Sequence, residues 1–346
     1  MTIRPNLFWY ATSELSQDAM LCWLLSWADK KQKSEDNILH AVGTAFIDSI
    51  YEKASQRPPS SYESIEIRQQ DGGIDILCIV NGDTAIIIED KVGTKQHSEQ
   101  LPRYKEHVSK LKFPADKILS VYLQTRDQSD YREVEKHGYM VYERQTLLEV
   151  LESAAGIAAC EKSDILSSYT GYLRKIEDDV QSFRRLPPKD WSWDAWKGFY
   201  TELQKSLEDG TWDYVANPSG GFLGFWWHFE GDDQCEQYLQ LEQEKFCFKI
   251  WVKDPEKRRE LREFWHNKIV NECSRHDIKV KRPDRFGNGN YMTVAIMDQE
   301  FRIVDESQRL DLKKTIELFR RAEAVLVAVK AQQALGADLA SSAAQA

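Results

Sequence analysis

The chain has 346 residues and a formal charge of −10, from 46 Lys plus Arg against 56 Asp plus Glu. With 42% hydrophobic and 29% charged residues it can bury a sizeable core, which excludes a disordered or fibrous chain, and the length points to two domains. The acidic balance excludes a protein that coats nucleic acid through bulk charge, so any nucleic-acid site must be a local patch.

No apolar run approaches the roughly 20 residues that span a bilayer. The segment Met1 to Leu7 lacks a basic stretch followed by an apolar core, so a cytoplasmic location is expected. Cys22, Cys78, Cys160, Cys235, Cys247 and Cys273 are scattered and form no CxxC pair. They read as reduced packing residues rather than a zinc site or disulfide framework.

Taken along the chain, the first predicted element is a helix from Glu14 to Lys30. Leu15, Ala19, Cys22, Trp23 and Ser26 recur at helical spacing, and Ser13 is placed to cap it. A second helix is expected from about Asp36 to Ala54. Strand patterns follow at Ser64 to Gln69, Ile74 to Val80, Thr84 to Lys91 and Ile118 to Gln124, with a helix from roughly Ser98 to Leu111 between the last two. A short strand at Tyr139 to Tyr142 and helices at Thr146 to Glu152 and Lys162 to Val180 complete this half. The order is that of an α/β domain, a mixed sheet covered by helices.

Pro187-Pro188 then interrupts the helical pattern, and eight of the eleven Trp fall between Trp191 and Trp265. This change in composition sets a boundary near residue 185, giving domains over 1–185 and 186–334 and a frayed or disordered Ala/Ser/Gln tail over 335–346. The second domain reads as α+β with a small antiparallel sheet. A helix at Trp193 to Leu207 precedes strands at Gly221 to Glu230, Cys235 to Gln243 and Lys245 to Lys253. A helix at Pro255 to Arg275, a strand at Tyr291 to Met297 and a helix at Leu310 to Ala334 follow.

The chemistry concentrates in Gly73 to Lys91. Two apolar strands flank an Asn81-Gly82 turn, and the second ends in Glu89-Asp90-Lys91. Burying an unpaired charge costs several kcal/mol, so this strand end needs a cation, a partner or solvent. Side chains alternate along a strand, so Glu89 and Lys91 share a face and Asp90 points away. If Val80 pairs with Thr84 around a three-residue loop with a G1 bulge, Asp75 lies opposite Glu89, two carboxylates roughly 5 Å apart. Their repulsion would be relieved by a divalent cation. A two-residue turn would instead place Asp75 opposite Ile88.

Asp75 followed in hairpin spacing by Glu89-x-Lys91 resembles the PD-(D/E)XK nuclease superfamily, with its restriction-endonuclease-like fold. Gln100-Leu101-Pro102-Arg103-Tyr104 matches the QxxxY element of its RecB-like and lambda-exonuclease-like branch, and Glu14 falls where these nucleases often place an acid on the first core helix. The resemblance covers about residues 6 to 152 and implies an αβββαβ core. The sequence departs from the pattern at Ile74, where the name expects Pro, and at Pro102, which requires the helix to begin close to Ser98.

The resemblance implies phosphodiester hydrolysis with Mg²⁺ or Mn²⁺, in DNA rather than RNA, in a prokaryotic defence, restriction or repair setting. It implies that Asp75, Glu89, Glu14 and the backbone carbonyl of Asp90 hold the metal, with Asp18 the competitor to Glu14. Lys91 would then activate water, and Gln100 and Tyr104 would orient substrate or the lysine. Glu14 also reads as a helix N-terminal acid facing the dipole. Many enzymes of this fold dimerise, so a homodimer or a partner protein is a further expectation. A catalytically silent or partner-activated adaptor that keeps the fold is the competing reading, and RNA cleavage is a third.

Lys95 and Arg103 belong to a basic run beside the proposed site that could guide a phosphate backbone; a solvated helix face is the alternative. Lys279, Lys281, Arg282 and Arg285 form a second basic stretch suited to nucleic acid. The aromatic strands around Trp226 and Trp251 read as sheet core first and base-stacking surface second. His97, His107 and His137 lack ligand spacing, and GxxxxGK[ST] is absent.

Overall fold

The computed structural model of the protein describes residues 5–93, 100–217 and 220–344, with side chains described up to Gln332. Lys95, His97 and the expected helix start at Ser98 lie outside the described residues. The chain folds as two compact units, Met1–Asp178 and Asp179–Ala346.

The first unit opens with α1 (Glu14–Ser26), whose N-cap Ser13 accepts the Ser16 N–H. It ends before the expected Lys30 because Asp29 accepts the N–H groups of Lys31 and Ile65, drawing the chain into a 3₁₀ turn at Lys30–Ser34. Next comes α2 (Asn37–Lys53), capped by the Asp36 carboxylate on the Ile38 and Leu39 N–H groups. Then follow β1 (Ile65–Asp71), β2 (Ile74–Val80), β3 (Thr84–Lys91), α3 (Gln100–Lys110), β4 (Ile118–Gln124), α4 (Arg132–Lys136), β5 (Met140–Glu143), α5 (Arg144–Leu151), α6 (Ala154–Lys162) and α7 (Asp164–Val180). Neither α4 nor α6 is predicted from sequence. The first is little more than one turn, and the second is an Ala/Gly-rich stretch with no clear polar face.

The strands form one mixed sheet in the order β1-β2-β3-β4-β5, antiparallel from β1 to β3 and parallel from β3 to β5. All eight residues of the central strand β3 are buried. Its odd-numbered Ala85 and Ile87 pack with Leu101, Tyr104 and Val108 of α3, while α1 lies against β1, β2 and β3.

The hairpin has the register that places the acids together: Val80 pairs with Thr84 and Ile76 with Ile88, and the same offset carries Asp75 to Glu89. The loop differs from the expected G1 bulge. Asn81 and Gly82 both have positive φ (53° and 72°), and the Asp83 N–H closes on the Val80 carbonyl at 3.1 Å. The tight turn is therefore of the primed kind, with Asp83 as the extra residue.

The second unit contains α8 (Trp193–Gln204), β6 (Thr211–Val215), β7 (Phe222–Gly231), β8 (Cys235–Glu242), β9 (Lys245–Val252), α9 (Arg258–Arg275), β10 (Val280–Lys281), β11 (Tyr291–Met297) and α10 (Leu312–Ala344). Its six strands run in the order β10-β11-β9-β8-β7-β6, antiparallel throughout. One face of the sheet is a continuous apolar core that includes Phe225, Trp227, Phe246, Phe248, Ile250 and Phe319. Trp226 and Trp251 point to the other face and are half-buried. The α10 backbone is helical as far as Ala344, the last described residue, as its Ala, Leu and Gln content favours.

Candidate active site at the end of the central strand

Four sequence-predicted residues meet at the C-terminal end of β3. The Lys91 Nζ lies 2.8 Å from Glu89 Oε1, 3.6 Å from Glu14 Oε2 and 3.9 Å from Asp75 Oδ2. It also donates to the Asp90 carbonyl at 3.1 Å. Each residue arrives by a separate local rule. Glu14 is the first residue of α1, Asp75 is the second residue of β2, and Glu89 and Lys91 share a face of β3 by the two-residue period. Asp75 is fixed further by accepting the Asp90 N–H at 3.0 Å and the Gln70 amide at 3.3 Å.

The site is held against strong desolvation. Glu89 is 0% exposed and Lys91 6%. Burial pushes the Glu89 carboxyl up to about 7, the charge of Asp75 pushes it the same way, and Lys91 opposes them. Burial pulls the Lys91 ammonium down, but its bond to Glu89 and the charges of Asp75 and Glu14 outweigh this, leaving it well above the usual lysine range. Glu89 Oε2 is buried without a hydrogen-bond partner.

Asp90 points the opposite way, as alternation requires. It accepts the Gln17 Nε2 at 2.6 Å, Gln17 Oε1 accepts the Thr125 hydroxyl at 3.0 Å, and the Thr125 N–H returns to the Lys91 carbonyl at 3.0 Å. Burial and the nearby charges of Asp18, Asp75 and Glu14 raise Asp90 well above the carboxylate range, against the Gln17 bond. Asp18 is lifted to about 7 by burial first and by Asp75 next, with Asp90 and Lys91 acting the other way. Both carboxyls of this pair are thus held above the ordinary carboxylate range. Behind it, buried Arg144 donates to the Thr125 carbonyl at 2.7 Å and pairs with Asp127 and Glu177.

Asp18 thus sits with Asp90, and Glu14 is the α1 acid beside Lys91. Gln17, Thr125 and Arg144 are absent from the sequence reading. The signal that could have found Gln17 is its place three residues after Glu14, on a helix packed over a strand whose Asp90 must face inward.

Tyr104 is buried on α3, where burial and then the charges of Glu89 and Asp75 raise its hydroxyl above the usual range. Gln100 lies one turn earlier on the same face, with Pro102 in the first described turn, where its missing N–H costs nothing. Arg103 stacks its guanidinium 5.6 Å from the Tyr104 ring centre. His107 of α3 meets Asp71 at 3.0 Å, across the β1–β2 turn.

The four basic candidates of the second unit lie close together in the chain, between Lys279 and Arg285. Lys281 pairs with Asp298 at 2.8 Å and Arg282 with Glu263 at 2.6 Å. Arg282 and Arg262 also lie over the Phe286 ring at 4.0 and 3.9 Å, and Arg262 donates to the Phe286 carbonyl and Asn288. Two of the expected phosphate contacts are thus engaged in organising their own loop, which also carries Arg285.

Among the described residues, no three Asp, Glu, His or Cys side chains already converge in metal-ligand geometry. The three carboxylates converge on an ammonium instead. The donors nonetheless fit a hard divalent cation in kind: all are oxygens, and Glu89 Oε2 is buried and unpartnered. No described helix is long and apolar enough to cross a membrane.

Comparison with curated proteins and with solved structures gives no match. The family profile of the PD-(D/E)XK nuclease superfamily matches residues 5–174, the span that holds the mixed sheet, Glu14, Asp75, Glu89, Lys91 and the α3 pair. Members usually hydrolyse phosphodiester bonds and generally use divalent metals. Through residues 5–174, the chain belongs to the PD-(D/E)XK nuclease superfamily.

Proposed function

We propose that the first unit is a metal-dependent nuclease acting on DNA, with Mg²⁺ or Mn²⁺ as its cofactor, in a defence, restriction or repair setting. The observation that carries this reading is the convergence of Glu14, Asp75 and Glu89 on Lys91 at the end of a buried strand. Structural ion pairs are normally on the surface or fully satisfied, whereas here a buried carboxylate oxygen has no partner.

Asp75, Glu89, Glu14 and the Asp90 carbonyl would hold the cation. When bound, such a cation stabilises charge on the scissile phosphate and acidifies water. Lys91 orients the attacking water and offsets charge developing on the phosphate oxygens. Tyr104 and Gln100 position the lysine and substrate from α3, and Arg103 is placed for a backbone phosphate. The second unit is assigned recognition of substrate or a partner, with Lys279 and Arg285 as its loop cations.

The test is cleavage of linear, circular and single-stranded DNA and of RNA with Mg²⁺, Mn²⁺ or EDTA, beside Asp75→Ala and Lys91→Ala. Metal-dependent DNA cutting lost in both variants is the expected result. Preferential cutting of RNA would replace the substrate, and folded protein that cuts nothing would favour the adaptor reading.

A further inference from the structure

The Lys91 ammonium lies within 3.9 Å of carboxylate oxygens of Glu14, Asp75 and Glu89, and its side chain is 8% exposed. Two of the contacts, 2.8 Å to Glu89 and 3.1 Å to the Asp90 carbonyl, are hydrogen-bond length. The other two, at 3.6 and 3.9 Å, act through charge alone. The ammonium therefore touches, or lies near, every oxygen group offered to a metal.

We propose that Lys91 is the resident counter-cation of this site, and that a divalent cation and the Lys91 ammonium compete for the same oxygens. This rests on the metal-dependent reading above and adds a coupling to it. Two cations cannot both occupy one small oxygen cluster without mutual repulsion, so the arriving metal loosens Lys91 from the carboxylates. By linkage, the factor by which Lys91 weakens metal binding equals the factor by which metal weakens the hold on Lys91. Metal loading and release of the lysine towards a phosphate then become one event. Without metal, the lysine stays bound to its own carboxylates and is withheld from substrate.

The test is Mn²⁺ binding without nucleic acid, by calorimetry and electron paramagnetic resonance, for the wild type, Lys91→Met and Lys91→Arg. Lys91→Met should bind Mn²⁺ at least about tenfold more tightly than the wild type, a coupling of ordinary allosteric size. Lys91→Arg, which keeps the charge, should not gain. Affinity in Lys91→Met that is unchanged or weaker overturns the proposal while leaving the metal-dependent reading intact. Absence of Mn²⁺ binding in every protein overturns both.

A measurement on the wild type alone covers the case in which Lys91→Met does not fold. Acetylation of Lys91 by an amine-selective reagent, followed by mass spectrometry, should speed up several-fold when Mn²⁺ is added. An unchanged or slower rate overturns the proposal.

Discussion

The two sheets of this protein treat charge in opposite ways. In the second unit, the central strand β9 contributes Phe246, Phe248, Ile250 and Val252 to an apolar core, and the cations Lys281, at the end of β10, and Arg282, next to it, are paired with nearby acids. In the first, the central strand β3 is equally buried but ends in Glu89, Asp90 and Lys91, with carboxyl oxygens left unpartnered. A sheet optimised only for stability would replace those groups with apolar ones, since buried ion pairs are often neutral or costly relative to hydrophobic isosteres. The contrast separates a strand that holds its domain together from one that also holds reactive groups.

The comparison breaks most readily in the core of the second unit. Phe248→Ala, at a fully buried position, should cost about 3–5 kcal/mol in denaturant unfolding. A cost below about 1 kcal/mol would mean that this sheet is not the stabilising element described.

At the first strand end, stability and activity should move in opposite directions. Glu89→Gln removes a buried charge while keeping the shape, so it should lower cleavage by about 10²–10³-fold. The melting temperature without metal at neutral pH should hold or rise. A large loss of stability would place Glu89 among the purely structural ion pairs.

The pH dependence of the metal-free protein sharpens this further. The folded Glu89 pKa, about 7, lies above the unfolded value. Protonation therefore favours the folded chain: the contribution is fully present below the unfolded pKa, near about pH 4.3, and is lost as pH rises through 7. Stability should fall between about pH 5 and 7 with a slope of at most about 1.4 kcal/mol per pH unit for this one proton. Asp18, also lifted to about 7, adds in the same direction. Glu89→Gln should flatten part of the slope, as read by thermal denaturation across pH, and an identical slope in the variant would refute the assignment.

The smallest effect is expected at the β1–β2 turn. Gly72 has φ 65°, and a Cβ there would meet the His107 ring at 2.7 Å. Gly72→Ala should destabilise by about 1–2 kcal/mol, measured in the same unfolding experiment, through backbone strain and displacement of His107 from Asp71.

Much of the first sheet was legible because local signals agreed. Asn81-Gly82, the apolar runs on either side and the two-residue period together specify the hairpin register, and with it the approach of Asp75 to Glu89. The back of the site was not legible. Gln17, Thr125 and Arg144 are 73, 35 and 54 positions from Asp90 or its neighbours along the chain, and only the packing of α1 and β4 beside β3 brings them together. Asp18 was recognised as an acid on the correct helix, but one turn's rotation decides whether it meets Lys91 or Asp90. In the second unit, the edge strands β6 and β10 escaped the sequence reading, with five and two residues. Short edge strands carry too few alternations to be distinguished from loop.

The primed turn at Asn81-Gly82 has a consequence far from its own position. It begins six residues, roughly 20 Å, from Asp75, yet its length alone decides which β3 side chain faces that carboxylate. Inserting one residue between Asp83 and Thr84, with the three-residue loop kept, would change no acid, lysine or tyrosine of the site, but would slide the ladder by one residue and turn Asp75 towards Ile88. The hairpin behaves as a vernier, in which loop length at one end sets the alignment of reactive groups at the other.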